Sequence, residues 1–120
     1  MSLVTLVLGA SAKNDRYSNM AVRRLLSHGH PVIAVGRRPG AIEGTPIVTE
    51  IPATGAVDTV TLYMNADNQH AWEERILALK PRRIIFNPGA ENARLARAAQ
   101  ANGIEPIEAC TLVMLSTGQY

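Results

Sequence analysis

Residues 3–18 have the sequence LVTLVLGASAKNDRYS. Six apolar or β-branched residues end at Gly9, small and polar residues follow, and an amphipathic stretch begins near Asn19. This order is typical of a buried parallel strand that leads through a loop into a helix. Such a turn directs free backbone N–H groups and the positive end of the helix dipole toward one point, which suits a phosphate group.

The rest of the chain alternates predicted helices and strands. The first helix ends at His28-Gly29, because glycine and the nearby Pro31 do not continue it. The strands that follow are continuous apolar runs, which is typical of a parallel sheet covered on both faces. Residues 41–57 carry weaker signals and predict a short edge strand and a loop. The other predicted strands are 32–35, 59–64, 83–86 and 104–107, and the other predicted helices are 67–80, 91–101 and 109–115.

This alternation predicts an α/β fold of the Rossmann-like, doubly wound class. We expect a three-layer α/β/α sandwich with a mostly parallel sheet of five or six strands. Ligands of such sheets bind at the carboxyl ends of the strands, where the strand order reverses. Those ends are expected at residues 9–18, 36–40, 64–68 and 87–92, with Asn65 as a helix N-cap. Residues 116–120 are too polar for the core and are expected to fray or to contact a partner subunit.

Composition limits the classes of partner. The chain has 120 residues, of which 47% are hydrophobic and 18% charged, as in globular proteins. The net charge of +2 and the interleaved acidic residues argue against a nucleic-acid partner. No segment approaches the roughly 20 apolar residues that span a bilayer, so we expect a cytoplasmic protein without membrane contact. The single cysteine, Cys110, excludes an internal disulfide, and the histidines lack the pairing of a zinc site.

The first loop departs from the dinucleotide-binding fingerprint. That motif has glycines at the first, third and sixth positions after the strand, where this chain has Gly9, Ser11 and Asn14. At the end of the second strand, the acidic residue that takes ribose hydroxyls is replaced by Arg37 and Arg38. These arginines favour a nucleotide with an additional phosphate on its ribose. NADP and coenzyme A (CoA) both meet this description.

The spacing Gly9-x-Ser11 followed by Arg16-x-Ser18 resembles a family of small bacterial CoA-binding proteins. Their domain also forms the nucleotide-binding part of the succinyl-CoA synthetase α subunit. The resemblance continues through Gly29, Gly44, Ile51-Pro52, Gly89 and Cys110. It implies that residues 1–120 form a single CoA-binding domain. The first loop would then hold the CoA diphosphate, and the loop after the second strand would hold the adenosine end.

The resemblance also implies the roles of individual residues. Ser11 and Ser18 would donate hydroxyl hydrogen bonds, and Ser18 is also a candidate N-cap. Arg16 would supply a forked, charge-assisted contact, and Arg37 or Arg38 would pair with the 3′-phosphate. Relatives commonly have Asn-Pro where this chain has Gly36-Arg37. The complete set of expected ligand-binding residues is Gly9, Ala10, Ser11, Lys13, Arg16, Ser18, Gly36, Arg37, Arg38, Asn65, Pro88 and Gly89.

No catalytic constellation stands out in the sequence, because the acidic residues near the expected binding edge are scattered. The first hypothesis is therefore non-catalytic binding of CoA or an acyl-CoA, a small-molecule nucleotide. The alternative is an NADP-binding reductase or an NADP-sensing domain, and a third is a structural subunit without a ligand. A homodimer or a partner protein is compatible with each of the three.

Overall fold

The fold is taken from a computed structural model that describes residues 3–52 and 56–120. Its strands β1 to β7 span Val4–Leu8, Val32–Val35, Gly40–Ile42, Thr45–Val48, Val57–Leu62, Arg83–Phe86 and Glu105–Glu108. Its helices α1 to α5 span Tyr17–Ser27, Ala66–Gln69, Glu73–Leu79, Ala93–Ala101 and Thr111–Ser116. A 3₁₀ turn, His70–Trp72, separates α2 from α3, so the predicted helix 67–80 is two short helices.

The strands form one sheet in the order β3-β4-β2-β1-β5-β6-β7. All neighbouring strands are parallel except β3 and β4, which form an antiparallel pair. From the central strand β1 the chain first builds the sheet toward β2 and later continues on the other side with β5. The strand order therefore reverses between β1 and β5, and this is where a doubly wound sheet opens a binding crevice.

Side chains alternate between the two faces of the sheet and build two cores. Leu6 and Leu8 of β1 belong to a cluster with Ile76 of α3 and Leu95 of α4. The adjacent Val7 faces the other way, into a cluster that includes residues of α1 and α5. Full burial of each such side chain stabilises the folded state by about 1.5–3 kcal/mol. The two cores place a helical layer on each side of the sheet and confirm the predicted three-layer, doubly wound fold.

The edge of the sheet differs from the prediction. Residues 40–48 contribute two strands, not one, so the described ranges hold seven strands where five or six were expected. Glu43 and Gly44 connect β3 to β4 with φ angles of 46° and 83°. Two successive positive φ angles are typical of a type I′ hairpin turn, in which asparagine or aspartate usually precedes the glycine. Because Glu43 stands where asparagine or aspartate is usual, the sequence did not indicate this turn. Residues 53–55 of the predicted loop lie outside the described residues.

The C-terminal residues also depart from the prediction, because Tyr120 packs against the amino ends of β1 and β6. Its hydroxyl forms a hydrogen bond with Oγ1 of Thr5, and the Arg83 guanidinium lies 4.5 Å from the centre of its ring. The ring of His30 lies 5.0 Å away, centre to centre. Burial raises the pKa of Tyr120 above its ordinary value. Fraying was therefore the wrong expectation at this residue.

Candidate functional site

The carboxyl ends of β1, β2, β5 and β6 surround a cavity of about 820 Å³ at the point where the strand order reverses. Its walls are the loops that follow these strands and the first turn of α1. The sequence-predicted residues that line it are Gly9, Ala10, Ser11, Lys13, Arg16, Ser18, Arg37, Arg38, Asn65, Pro88 and Gly89. Gly36 is the predicted residue that does not line it. Tyr17, Tyr63 and Asn68 line the cavity as well and were missed by the sequence analysis.

The charge of the cavity has one sign. Lys13, Arg16, Arg37 and Arg38 all lie in its walls, and no aspartate or glutamate of the described residues lines it. All four cationic residues are exposed. Low-dielectric walls focus the field of such a cluster into the crevice, where it attracts anions. The site is therefore suited to a small molecule with several negative charges.

Side chains of α1 hold the loop after β1 in place. Asn19 is 1% exposed, and its amide nitrogen donates a 2.9 Å hydrogen bond to the carbonyl of Ser11. Arg23 donates to Oδ1 of Asn19 at 2.8 Å and to the carbonyl of Asn14 at 3.4 Å. The hydroxyl oxygen of Ser11 accepts from the backbone N–H of Lys13 at 3.1 Å, which leaves its own proton free to donate. The shape of the loop is thus held by hydrogen bonds within the protein.

The first turn of α1 contributes backbone donors. Its N-cap is Arg16, whose side chain makes no capping hydrogen bond and has no acceptor. Ser18 lies inside the first turn and is buried, so its prediction as an N-cap is wrong. Without a capping side chain, N–H groups at the helix start remain available to an acceptor in the cavity. Tyr17 and Ser18 both line the cavity at this point.

Two glycines allow the strand ends to approach one another. Gly9 has a φ of 99°, and a Cβ atom on it would lie 2.8 Å from the carbonyl oxygen of Tyr63. A Cβ atom on Gly36 would lie 2.2 Å from the carbonyl oxygen of Ala10. Gly36 therefore stands behind the wall of the cavity, where it lets the end of β2 pack against the β1 loop. A direct contact of Gly36 with the ligand stays a prediction.

The loops after β5 and β6 are joined by one buried side chain. Gln69 is 0% exposed, and its amide nitrogen donates to the carbonyls of Met64 and Ala90 at 2.8 and 2.7 Å. Its oxygen accepts a 2.9 Å hydrogen bond from Asn92. Buried amides that satisfy several groups in this way fix local geometry, since leaving those groups unpaired is costly. Gln69 thus sets the spacing of two cavity walls, a role that no sequence pattern indicated.

Two asparagines shape the ends of these loops. Asn65 is the N-cap of α2, as predicted, and accepts a hydrogen bond from the backbone N–H of Asn68 at 2.9 Å. The buried Asn87 donates to Oγ1 of Thr61 at 2.6 Å and accepts from the backbone N–H of Thr111 at 2.8 Å. These bonds tie the loop that carries Pro88 to the start of α5. The exposed residues Pro88 and Gly89 therefore follow a buried asparagine whose amide group has hydrogen-bond partners.

Tyr63 has two environments in the structure. The residue lines the cavity, while it also packs against the apolar cluster beneath α1. Among the described residues, its hydroxyl is buried without a hydrogen-bond partner. Burial raises the pKa of this hydroxyl, so Tyr63 is neutral at physiological pH.

Comparisons with known proteins agree with this architecture. A family model described as a CoA binding domain matches residues 4–116. The crystal structure of an uncharacterized protein is 50% identical, with a TM-score of 0.96, and the match covers 100% of this chain and 99% of that one. A hypothetical protein from Pyrococcus horikoshii OT3 is 18% identical with a TM-score of 0.85, over 94% of this chain and 81% of that one. No curated protein sequence is significantly similar to this chain.

A larger protein contains the same fold. A dinucleotide-forming acetyl-coenzyme A synthetase from Ca. Korarchaeum cryptofilum, in complex with phosphate and ADP, matches with a TM-score of 0.74 at 15% identity. The match covers 88% of this chain and 25% of the synthetase. At this identity the similarity concerns the fold alone. Across residues 3–52 and 56–120, no helix has the length and apolar character needed to cross a membrane.

Proposed function

We propose that this chain, which belongs to the CoA binding domain family, binds CoA at the carboxyl edge of its sheet. The diphosphate would lie at the β1 loop and the 3′-phosphate at Arg37 and Arg38. Membership of the family supports CoA binding in general. The assignment of individual phosphates to these two loops is our proposal.

The observation that carries the proposal is the charge of the cavity. CoA has two charges on its diphosphate and about −1.5 to −2 on its 3′-phosphomonoester near pH 7. The cavity presents four cations on two loops, Lys13 and Arg16 on one and Arg37 and Arg38 on the other. A ligand with two separate phosphate groups matches two separate cationic loops, and backbone donors at the start of α1 add to the first group.

NADP is the competing ligand, because its 2′-phosphate would suit the same pair of arginines. The shape of the β1 loop argues against it. Ser11 and Asn14 occupy the positions of the second and third glycines of the dinucleotide fingerprint, and side chains of α1 hold both residues through their carbonyls. This loop therefore differs from the glycine-rich loop of the fingerprint, in which the absence of side chains lets the backbone contact the dinucleotide's diphosphate.

We further propose that the site binds and does not catalyse. No carboxylate or imidazole of the described residues lines the cavity. These are the groups that most often serve as general acids and bases. The cationic and hydroxyl groups that are present bind and orient phosphates, which fits a protein that stores, carries or senses CoA.

Calorimetric titration with CoA, dephospho-CoA, NADP and NAD tests the proposal. We expect CoA to bind most tightly and dephospho-CoA to bind about 100-fold more weakly, since it loses two charge-assisted contacts, to Arg37 and Arg38, of about 1.4 kcal/mol each. NADP and NAD should bind more weakly than CoA. Tighter binding of NADP than of CoA would favour the reductase or NADP-sensing alternative. The absence of heat with CoA in a folded sample would refute the proposal.

Arg16→Ala tests the β1 loop. We expect about tenfold weaker CoA binding, because a guanidinium contact to the diphosphate is charge-assisted. CoA and dephospho-CoA should be affected equally, because both carry the diphosphate. Arg24→Ala is the matched control, because Arg24 is an exposed arginine of α1, the helix that begins after Arg16, and does not line the cavity. Equal CoA affinity of the two variants would remove Arg16 from the site.

A further inference from the structure

A second, smaller depression adjoins the cavity on the side of β5 and β6. Its volume is about 480 Å³, and its walls include Asp67, His70, Asn92 and Arg94. It begins at Ala66, the neighbour of Asn65 in the wall of the main cavity. Arg37 and Arg38 follow β2, which lies on the opposite side of β1 in the sheet. A ligand whose ribose phosphate meets those arginines would therefore extend its other end toward this depression.

The contact of His70 with Arg94 assigns the roles of its two ring nitrogens. Nη2 of Arg94 lies 2.6 Å from Nδ1 of His70. Arginine has only N–H donors and no acceptor, so Nδ1 must accept this hydrogen bond. The proton of the neutral imidazole then lies on Nε2. His70 thus offers a hydrogen-bond donor in the wall of the depression.

The charges around the depression are already balanced on one side. Arg94 also donates to both carboxylate oxygens of Glu73, at 3.2 and 3.1 Å, and Asn92 donates to the second of these at 3.1 Å. The positive charge of Arg94 is therefore offset by Glu73. Asp67 is exposed in the same depression, three residues before His70, and no donor among the described residues bonds its carboxylate. The depression combines a fixed donor at His70 with an open acceptor at Asp67.

We propose that this depression holds the acyl group of an acyl-CoA and selects a short chain that carries a hydroxyl group. The inference rests on the proposed function, which places the nucleotide end in the main cavity. A hydroxyl group can accept from His70 and donate to Asp67, and so offers a partner to both side chains. A carboxylate in the same place would be repelled by Asp67. An alkyl chain offers no hydrogen-bond partner to either side chain.

Calorimetric titration with CoA, butyryl-CoA, 3-hydroxybutyryl-CoA and succinyl-CoA tests this inference. We expect 3-hydroxybutyryl-CoA to bind about tenfold more tightly than butyryl-CoA, which has the same carbon chain without the hydroxyl. Succinyl-CoA should bind no more tightly than butyryl-CoA. A hydroxyl preference below twofold would overturn the inference while CoA binding itself stands. No binding of CoA would refute the proposed function and this inference with it.

Three variants assign the preference to the depression. His70→Ala and Asp67→Ala should each reduce the hydroxyl preference to below about threefold, and Asp67→Ala should also strengthen succinyl-CoA binding because it removes the repulsion. His28→Ala is the matched control, since His28 is exposed at the other end of the sheet. Binding of CoA by each variant reports that it is folded. Retention of the full hydroxyl preference in both His70→Ala and Asp67→Ala would overturn the inference.

Discussion

Gly36→Ala should abolish CoA binding and lower the free energy of unfolding by about 2–3 kcal/mol, the usual effect of overpacking a buried site. The added methyl group would lie 2.2 Å from the carbonyl oxygen of Ala10 and 3.1 Å from Cγ2 of Ile47. Neither neighbour can move freely. The backbone N–H of Ala10 donates a 2.9 Å hydrogen bond to Val35, and Val48, which follows Ile47 in β4, accepts a 2.9 Å hydrogen bond from Gly36. The β1 loop must shift, and the phosphate donors shift with it. Urea denaturation and calorimetry measure the two effects.

Gly44→Ala is the control for this variant. Gly44 has a φ of 83° and no atom within 4 Å of an added Cβ, so alanine there meets backbone strain without a clash. We expect a loss of about 1 kcal/mol in the free energy of unfolding and unchanged CoA affinity. If Gly36→Ala bound CoA as tightly as Gly44→Ala does, the geometry of the β1 loop would have no part in the site.

The fold was predictable from sequence because its signals are local. Apolar runs such as Val32–Val35 and residues 84–86 of β6 alternate with helical periodicity, and that pattern alone specifies a parallel sheet between two helical layers. The location of the cavity followed from the same pattern, since all four predicted strand ends meet there. The β3–β4 hairpin was missed because its turn uses Glu43 in place of the usual asparagine or aspartate.

The supports of the site were not predictable, because they depend on contacts between distant residues. Asn19, Gln69 and Asn87 look like ordinary polar residues in sequence, yet each is at most 2% exposed. Asn19 and Gln69 bond loops that line the cavity, and Asn87 anchors the loop before Pro88 to β5. Tyr120 likewise forms a hydrogen bond with Thr5, which is 115 residues away in the sequence. A buried polar group is recognised by its partners, and these become known only when the fold brings them together.

Replacing both Arg37 and Arg38 by serine should weaken CoA binding about 100-fold, on the basis of about 1.4 kcal/mol for each charge-assisted contact. The physical reason is the pairing of these two exposed side chains with the 3′-phosphate, which carries more charge than either phosphate of the diphosphate. Stability should change by less than about 0.5 kcal/mol, since both arginines lie on the surface. Calorimetric titration of the double variant with CoA measures the effect.

Dephospho-CoA supplies the decisive control, because it lacks only the group that the two arginines are proposed to bind. Its affinity should be nearly the same for the unmodified chain and for the Arg37→Ser, Arg38→Ser variant, so the coupling between the arginines and the phosphate equals most of the 100-fold loss. The same comparison separates this contact from the β1 loop, where Arg16→Ala weakens both ligands alike. An equal loss for CoA and dephospho-CoA in the double arginine variant would show a general electrostatic effect of the cationic rim and would refute the assignment of the 3′-phosphate to the β2 loop.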